Sequence, residues 1–160
     1  MKNCIWLRIL ICLILSDYLS AEERVIGYWE TSESIVEISE CGDKLCGTIR
    51  SLLVEEGTNP ESILDSNNID IKLQSRPLVG VNILEGFNNK LDSNNKLKGG
   101  MIYNPRDGKV YKSKIHLLNN GNLRVEGCIF FICDGEEWKP LIDTLNSDDS
   151  YSVRLKNSLN

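Results

Sequence analysis

From Gly99 to Cys128 the chain reads GGMIYNPRDGKVYKSKIHLLNNGNLRVEGC. Three runs alternate apolar with polar residues, two sets of turn residues join them, and a cysteine closes the stretch. A period of two demands strands with one buried face. Connections this short force each strand to run antiparallel to the one before. The stretch is the middle of an antiparallel meander, and the remaining strands add on either side of it.

Its turns carry their own chemistry. In Asn104-Pro105-Arg106-Asp107-Gly108 the proline sets φ early and the glycine supplies a positive φ at the end. The second turn fixes a register. A two-residue Asn120-Gly121 loop sets Lys112 opposite Ile129 and His116 opposite Val125, mixing polar with apolar. A three-residue Asn119-Asn120-Gly121 loop, with Gly121 left-handed, aligns Leu117 with Leu123, Ile115 with Val125 and Tyr111 with Ile129. The other face then pairs Lys114 with Glu126 and His116 with Arg124, so the three-residue loop is expected. Gly99-Gly100 marks a bulge in the strand before it.

Upstream, Val25–Thr31 is a first strand anchored by Trp29. Ser34–Cys41 and Leu45–Val54 form a hairpin. Pairing Cys41 with Cys46 leaves Asp43-Lys44 as its loop and sets Glu37 opposite Arg50 and Ile38 opposite Ile49, with the cysteine Cα atoms about 4.5 Å apart. Residues 55–77 carry no clear period and form a long loop between strands 3 and 4, with a helical turn near Pro60–Leu64. Leu78–Phe87 is the next strand, with Val79, Val81, Ile83 and Phe87 on one face, interrupted by Glu85; Asn88–Lys96 is a polar turn. Downstream, pairing Cys128 with Cys133 sets Arg124 opposite Glu137 and Leu123 opposite Trp138. The tip, Ile129-Phe130-Phe131-Ile132, has no turn residues and must bury or expose its rings. Eight hairpin-linked strands suit a closed up-and-down barrel without free edges. A two-sheet sandwich is the alternative, and only residues 55–77 could supply its crossing connection.

Of the 160 residues 41% are hydrophobic, the composition of one globular domain. With 18 basic and 23 acidic residues and no block of like charge, the chain is a poor partner for nucleic acid or anionic membrane surfaces. Lys2 and Arg8, an apolar run from Ile9 to Leu15 and the small-residue exit at Leu19-Ser20-Ala21 lay out a secretory signal peptide. The expected organisation is a signal peptide over 1–21, a single β-barrel domain over 22–142 and a polar C-terminal tail over 143–160. No transmembrane segment is expected once the signal is removed. The expected location is the periplasm of a Gram-negative bacterium, or the medium. Cys4 and Cys12 leave with the signal. Four cysteines then remain in an oxidising compartment, and three connectivities are open to them. The registers above favour the local disulfides Cys41–Cys46 and Cys128–Cys133. With a single histidine, the C-x4-C spacings lack partners for a metal, and no metal or other cofactor is expected.

In order along the chain, Gly27-Tyr28-Trp29-Glu30-Thr31, Cys41-Gly42-Asp43-Lys44-Leu45-Cys46-Gly47, Asp65-x-x-Asn68, Arg76-Pro77-Leu78-Val79-Gly80, Gly100-Met101-Ile102-Tyr103-Asn104-Pro105, Gly108-Lys109-Val110-Tyr111 and Gly127-Cys128 followed by Trp138 stand out as a set. That set resembles the exported bacterial family known as domain of unknown function 2147, over residues 27 to about 139. The resemblance implies a small lipocalin-like (calycin-type) barrel of the envelope and brings no established activity. The chain departs from the family's pattern at Lys139-Pro140, where a polar residue and arginine are usual, and at the two phenylalanines of the tip.

His116 is the one possible imidazole base, and its register puts it on the polar face beside Lys114 and Arg124 with no carboxylate to orient it. No catalytic constellation is assembled, and the chain is not expected to be an enzyme. Asp65, Asn68 and Arg76 are rim candidates, with Asx-turn and loop-tying roles as the competing reading. The inward candidates for ligand binding are Trp29, Ile38, Ile49, Val79, Val81, Ile83, Tyr111, Ile115, Leu117, Val125 and Trp138, joined in the core by Leu123. In an eight-stranded barrel such a set either fills the interior or leaves room for one small apolar or amphipathic ligand. The alternative is an envelope interaction or structural module with a filled barrel, meeting a partner protein through Phe130 and Phe131.

Overall fold

The computed structural model describes residues 25–145 and 151–155, with side chains described over 25–142. The expected signal peptide lies outside the described residues. Among the described residues nine strands follow one another as a meander: β1 (Gly27–Glu30), β2 (Ser34–Cys41), β3 (Lys44–Leu52), β4 (Asn82–Asn88), β5 (Lys96–Asn104), β6 (Lys109–Leu117), β7 (Leu123–Ile129), β8 (Ile132–Leu145) and β9 (Tyr151–Leu155). Each pairs with its neighbour in sequence, and β1 also pairs with β8 through Trp29↔Pro140 and Glu30↔Lys139. That last pairing closes an eight-stranded antiparallel barrel. β9 pairs antiparallel with the far end of β8, from Leu141↔Leu155 to Leu145↔Tyr151. Two stretches of the segment read as a polar tail are therefore strand, and the rest of it lies outside the described residues.

The β6–β8 registers are the ones the alternation demands: Leu117↔Leu123, Ile115↔Val125, Lys114↔Glu126, Leu123↔Trp138, Arg124↔Glu137 and Cys128↔Cys133. Gly121 takes φ +85° in the three-residue loop, and Leu118 and Asn122 close it through their backbones. The Gly99-Gly100 bulge is present between Leu97 and Gly100.

Two expectations need correction. The β2–β3 hairpin pairs Cys41 with Lys44 and Ser39 with Cys46, so its loop is Gly42-Asp43. Gly42 at φ +68° provides the positive φ that a two-residue hairpin loop requires at its first position, and Asp43-Lys44 offers no glycine there. A shift of two residues preserves every face. Arg50 thus still meets Glu37, at 2.5 Å, on a diagonal, and Cys41–Cys46 still bridges, with Cα atoms 5.8 Å apart. The second correction concerns β4, which begins at Asn82. Leu78–Val81 precedes it as irregular chain, and Val79 is half-buried outside the core. Gly80 and Gly86 both take positive φ, and the β3–β4 register slips twice. The slips turn Leu84 into the core beside Phe87 and send Glu85 out to solvent.

In an up-and-down barrel alternate connections share an end. The β2–β3, β4–β5 and β6–β7 turns gather at one end, and the interior there is filled. Phe87, Leu45 and Leu97 are buried, and the Phe87 ring lies so close over Gly100 that a Cβ at that position would overlap it. The β1–β2 turn, the long β3–β4 loop, the β5–β6 turn and the β7–β8 tip share the other end.

The long loop replaces part of the wall. β4 pairs with β5 only through Leu84↔Ile102 and Glu85↔Met101, so the end of β5 lacks a strand beside it. Residues 63–81 cover that gap. Leu64 bridges Pro77, Leu78 N–H donates to Ile63 O, and Ile49 exchanges hydrogen bonds with Gly80 and Val81. Two short 3₁₀ turns, Pro60–Ser62 and Ile71–Leu73, are capped by the side chains of Asn59 and Asp70.

Candidate functional site

The open end of the barrel encloses a cavity of about 480 Å³. Its walls follow from strand parity. The inward positions of β7 are Leu123, Val125 and Gly127, and those facing them on β8 are Trp138, Glu136 and Asp134. β6 adds Tyr111, β5 adds Ile102, and β3 adds Ile49 and Leu52. Apolar side chains therefore make the floor, and polar ones gather toward the mouth.

Glu136 is the acidic group nearest the floor. Its Oε1 accepts a hydrogen bond from Trp138 Nε1 at 3.0 Å, and its Oε2 accepts from the Ser32 N–H at 3.3 Å. Beside it, Thr31 and Ser34 join their hydroxyls at 3.0 Å and are buried. Glu33 and Arg106 pair at 2.6 Å and bridge two rim turns. Tyr111 donates to Asp107 at 2.5 Å, which holds the phenol above its ordinary range and the carboxyl below its own. Arg106, paired with Glu33, also feels the charge of Glu136, and the lining sets three carboxylates, Glu33, Asp134 and Glu136, against this one arginine.

The rim candidates Asp65, Asn68 and Arg76 meet in a closed knot on the outside of the wall and not at the barrel mouth. The Asp65 carboxylate is 1% exposed. It accepts from Asn68 Nδ2 at 2.8 Å, from Arg76 at 2.9 Å and from the Tyr103 hydroxyl. Arg76 also stands over the Tyr103 ring, 5.9 Å from its centroid. Its charge is spent on Asp65, which favours the loop-tying role over an anion grip. Burial first, and the Asp65 carboxylate second, push the Tyr103 phenol up to about 12. Outside this knot an open groove of about 600 Å³ runs between the loop and the outer faces of β4–β6, past Ile69, Val79, Met101 and Val110.

Of the inward candidates, Trp29, Ile38, Ile49, Val81, Ile83, Ile115, Leu117, Val125 and Trp138 are buried in the core. Ile49, Ile83, Tyr111, Val125 and Trp138 also line the cavity, whereas Val79 lines the outer groove. His116 lies on the outer face between Lys96 and Arg124. Among the described residues no group of three or more His, Cys, Asp or Glu side chains is placed to hold a metal ion. Sequence reasoning missed Glu136, Asp134 and Tyr103. The first two were within reach, since the register that faces Leu123 with Trp138 also faces Val125 with Glu136. Tyr103 was not, because its partner lies in a loop without a period.

A search of curated proteins finds no match. Among solved structures, the chain is similar to "Protein HP1028 from the human pathogen Helicobacter pylori belongs to the lipocalin family", at 26% identity and a TM-score of 0.66, over 80% of this chain and 90% of that one. Residues 27–140 match the family model described as "Uncharacterized protein conserved in bacteria (DUF2147)". Closed barrel, open mouth and family match agree in extent, and the chain belongs to the DUF2147 family.

Proposed function

We propose that the protein is a binding protein that takes one small amphipathic molecule into the barrel mouth. The cavity carries this reading. At about 480 Å³ it falls within the range of small-molecule sites, with an apolar floor and a few convergent polar groups. An apolar body would lie against Ile49, Ile102, Val125 and Trp138. A polar end, neutral or positively charged, would face Glu136 and Asp134, because an anionic end would meet two carboxylates there. An open interior speaks against the filled-barrel alternative. Binding rather than catalysis is supported by the engagement of Glu136 with Trp138 and Ser32, and by the position of His116 on the outer face. We further read the two disulfides as supporting export to the periplasm.

Native mass spectrometry of the purified protein, with displacement of a fluorescent long-chain amine and of the matching fatty acid, tests the reading. The amine should bind at least tenfold tighter than the acid. Gly127→Ala, whose methyl would press on Ile102 at 3.3 Å and lie against Tyr111 in the cavity wall, should weaken binding, with the thermal midpoint measured alongside to separate lost binding from lost fold. A protein that carries no molecule and binds neither probe would end the proposal.

A further inference from the structure

We propose that the β7–β8 hairpin tip inserts into the surface of a lipid bilayer and holds the barrel mouth toward it. Phe130 and Phe131 are 95% and 91% exposed, and the Ile129↔Ile132 pair behind them is exposed as well. Isolated surface apolar residues are ordinary, but four in succession at a projecting tip are not. The tip stands clear of the sheet. Among the described residues, β6 pairs with β7 no further than Cys128, and β1 meets β8 only at Lys139 and Pro140.

Three features select lipid over a protein surface. Apolar character surrounds the ribbon, with Ile129 and Ile132 on one face, the Cys128–Cys133 disulfide on the other and both rings at the turn. A protein partner needs one apolar face, whereas a surrounding hydrocarbon needs all of them. The depth also fits. From Gly127 to Cys133 no side chain is charged. Cys128 to Phe130, at about 3.3 Å per residue, spans roughly 7 Å, against a burial depth of about 5–10 Å for interfacial elements. The tip is continuous with the cavity, because Ile129 lines the mouth. Lys112 opposite Cys128 and Asp134 opposite Gly127 place one charge of each sign at its base, so attachment is driven by apolar burial and not by charge. It does not depend on the barrel being occupied.

Flotation of the purified protein with phosphatidylcholine vesicles, with and without phosphatidylglycerol and at low and high salt, tests this. The protein should float with both compositions, with less than a twofold effect of salt. F130S/F131S should bind at least tenfold more weakly at an unchanged thermal midpoint. Phe131→Trp should retain binding, with its emission shifting blue on vesicles and quenched by brominated lipid. Failure to float, dependence on phosphatidylglycerol, or equal flotation of the double variant would each overturn the proposal. So would a solution dimer that the double variant converts to monomer while vesicles are ignored, because the tip would then be covered by a second copy. Vesicle binding reads the tip and probe displacement reads the cavity, so either can fail alone.

Discussion

The hydroxyl of Tyr103 on β5 donates to the buried carboxylate of Asp65 and accepts from Asn68 Nδ2 at 2.9 Å, and these bonds help fasten the long β3–β4 loop across the gap that β4 leaves in the barrel wall. Asp65 also holds Arg76 and Asn68, so its carboxylate ties the loop to itself as well as to the strand.

Removing that group should release the loop. Asp65→Ala leaves Arg76 without its partner and should destabilise the protein by about 3–5 kcal/mol. The lower end of that range is expected because Arg76 can reach water. Tyr103→Phe, which keeps Arg76 and Asn68 on the carboxylate, should lose about 1–2 kcal/mol. Urea denaturation measures both, and limited proteolysis should cut Asp65→Ala first within residues 55–77.

The same phenol makes stability depend on pH in the alkaline range. Its pKa lies at about 12 in the folded protein and near 10.0 when unperturbed. The folded state therefore holds the proton more tightly. Its contribution is complete below pH 10 and is lost as pH rises toward 12. Wild type should lose stability faster than Tyr103→Phe across that window, and the difference between their pH–stability curves isolates this group.

Gly100 should tolerate no side chain. Its position faces the Phe87 ring, and a Cβ there would overlap it. Gly100→Ala should cost about 1–3 kcal/mol through overpacking. Adding Phe87→Leu should restore part of that loss, a coupling that a double-mutant cycle in urea detects.

The hairpin disulfides should act locally. Cys41–Cys46 closes a ring of sequence separation 5. Replacing both cysteines with serine should therefore lower stability by only about 2 kcal/mol. The Glu37–Arg50 pair and the barrel register should survive, as unchanged amide chemical shifts away from the Gly42-Asp43 turn would report.

What could be read from the sequence divides along a physical line. The β6, β7 and β8 registers were legible because alternation, a glycine in a defined turn position and opposite charges on one face all demanded the same alignment. The β2–β3 register slipped by two because a shift of two leaves every face unchanged, so charge and hydrophobicity could not object. Only the φ of Gly42 decided it. β4 was misread because its register with β3 slips twice between Asn82 and Phe87, once across Gly86, and a period of two does not survive a bulge. In the cavity, Tyr111, Val125 and Trp138 were legible as inward, and Glu136 was implied by the same register. The Asp65–Tyr103 bond was not, because no local pattern joins a loop aspartate to a strand tyrosine.

The closure of the barrel has a kinetic consequence. Every other strand pairing joins neighbours along the chain, so hairpins can form in succession over short loops. The β1–β8 seam joins the two ends of the barrel through two residue pairs, one of which contains Pro140 and so lacks an amide donor. It should be the last line to zip during folding and the first to part during native-state fluctuation. Amide exchange at Trp29 and Glu30 would then run ahead of that at Ile115 and Val125. The wall can uncurl along this one line without breaking a single hairpin.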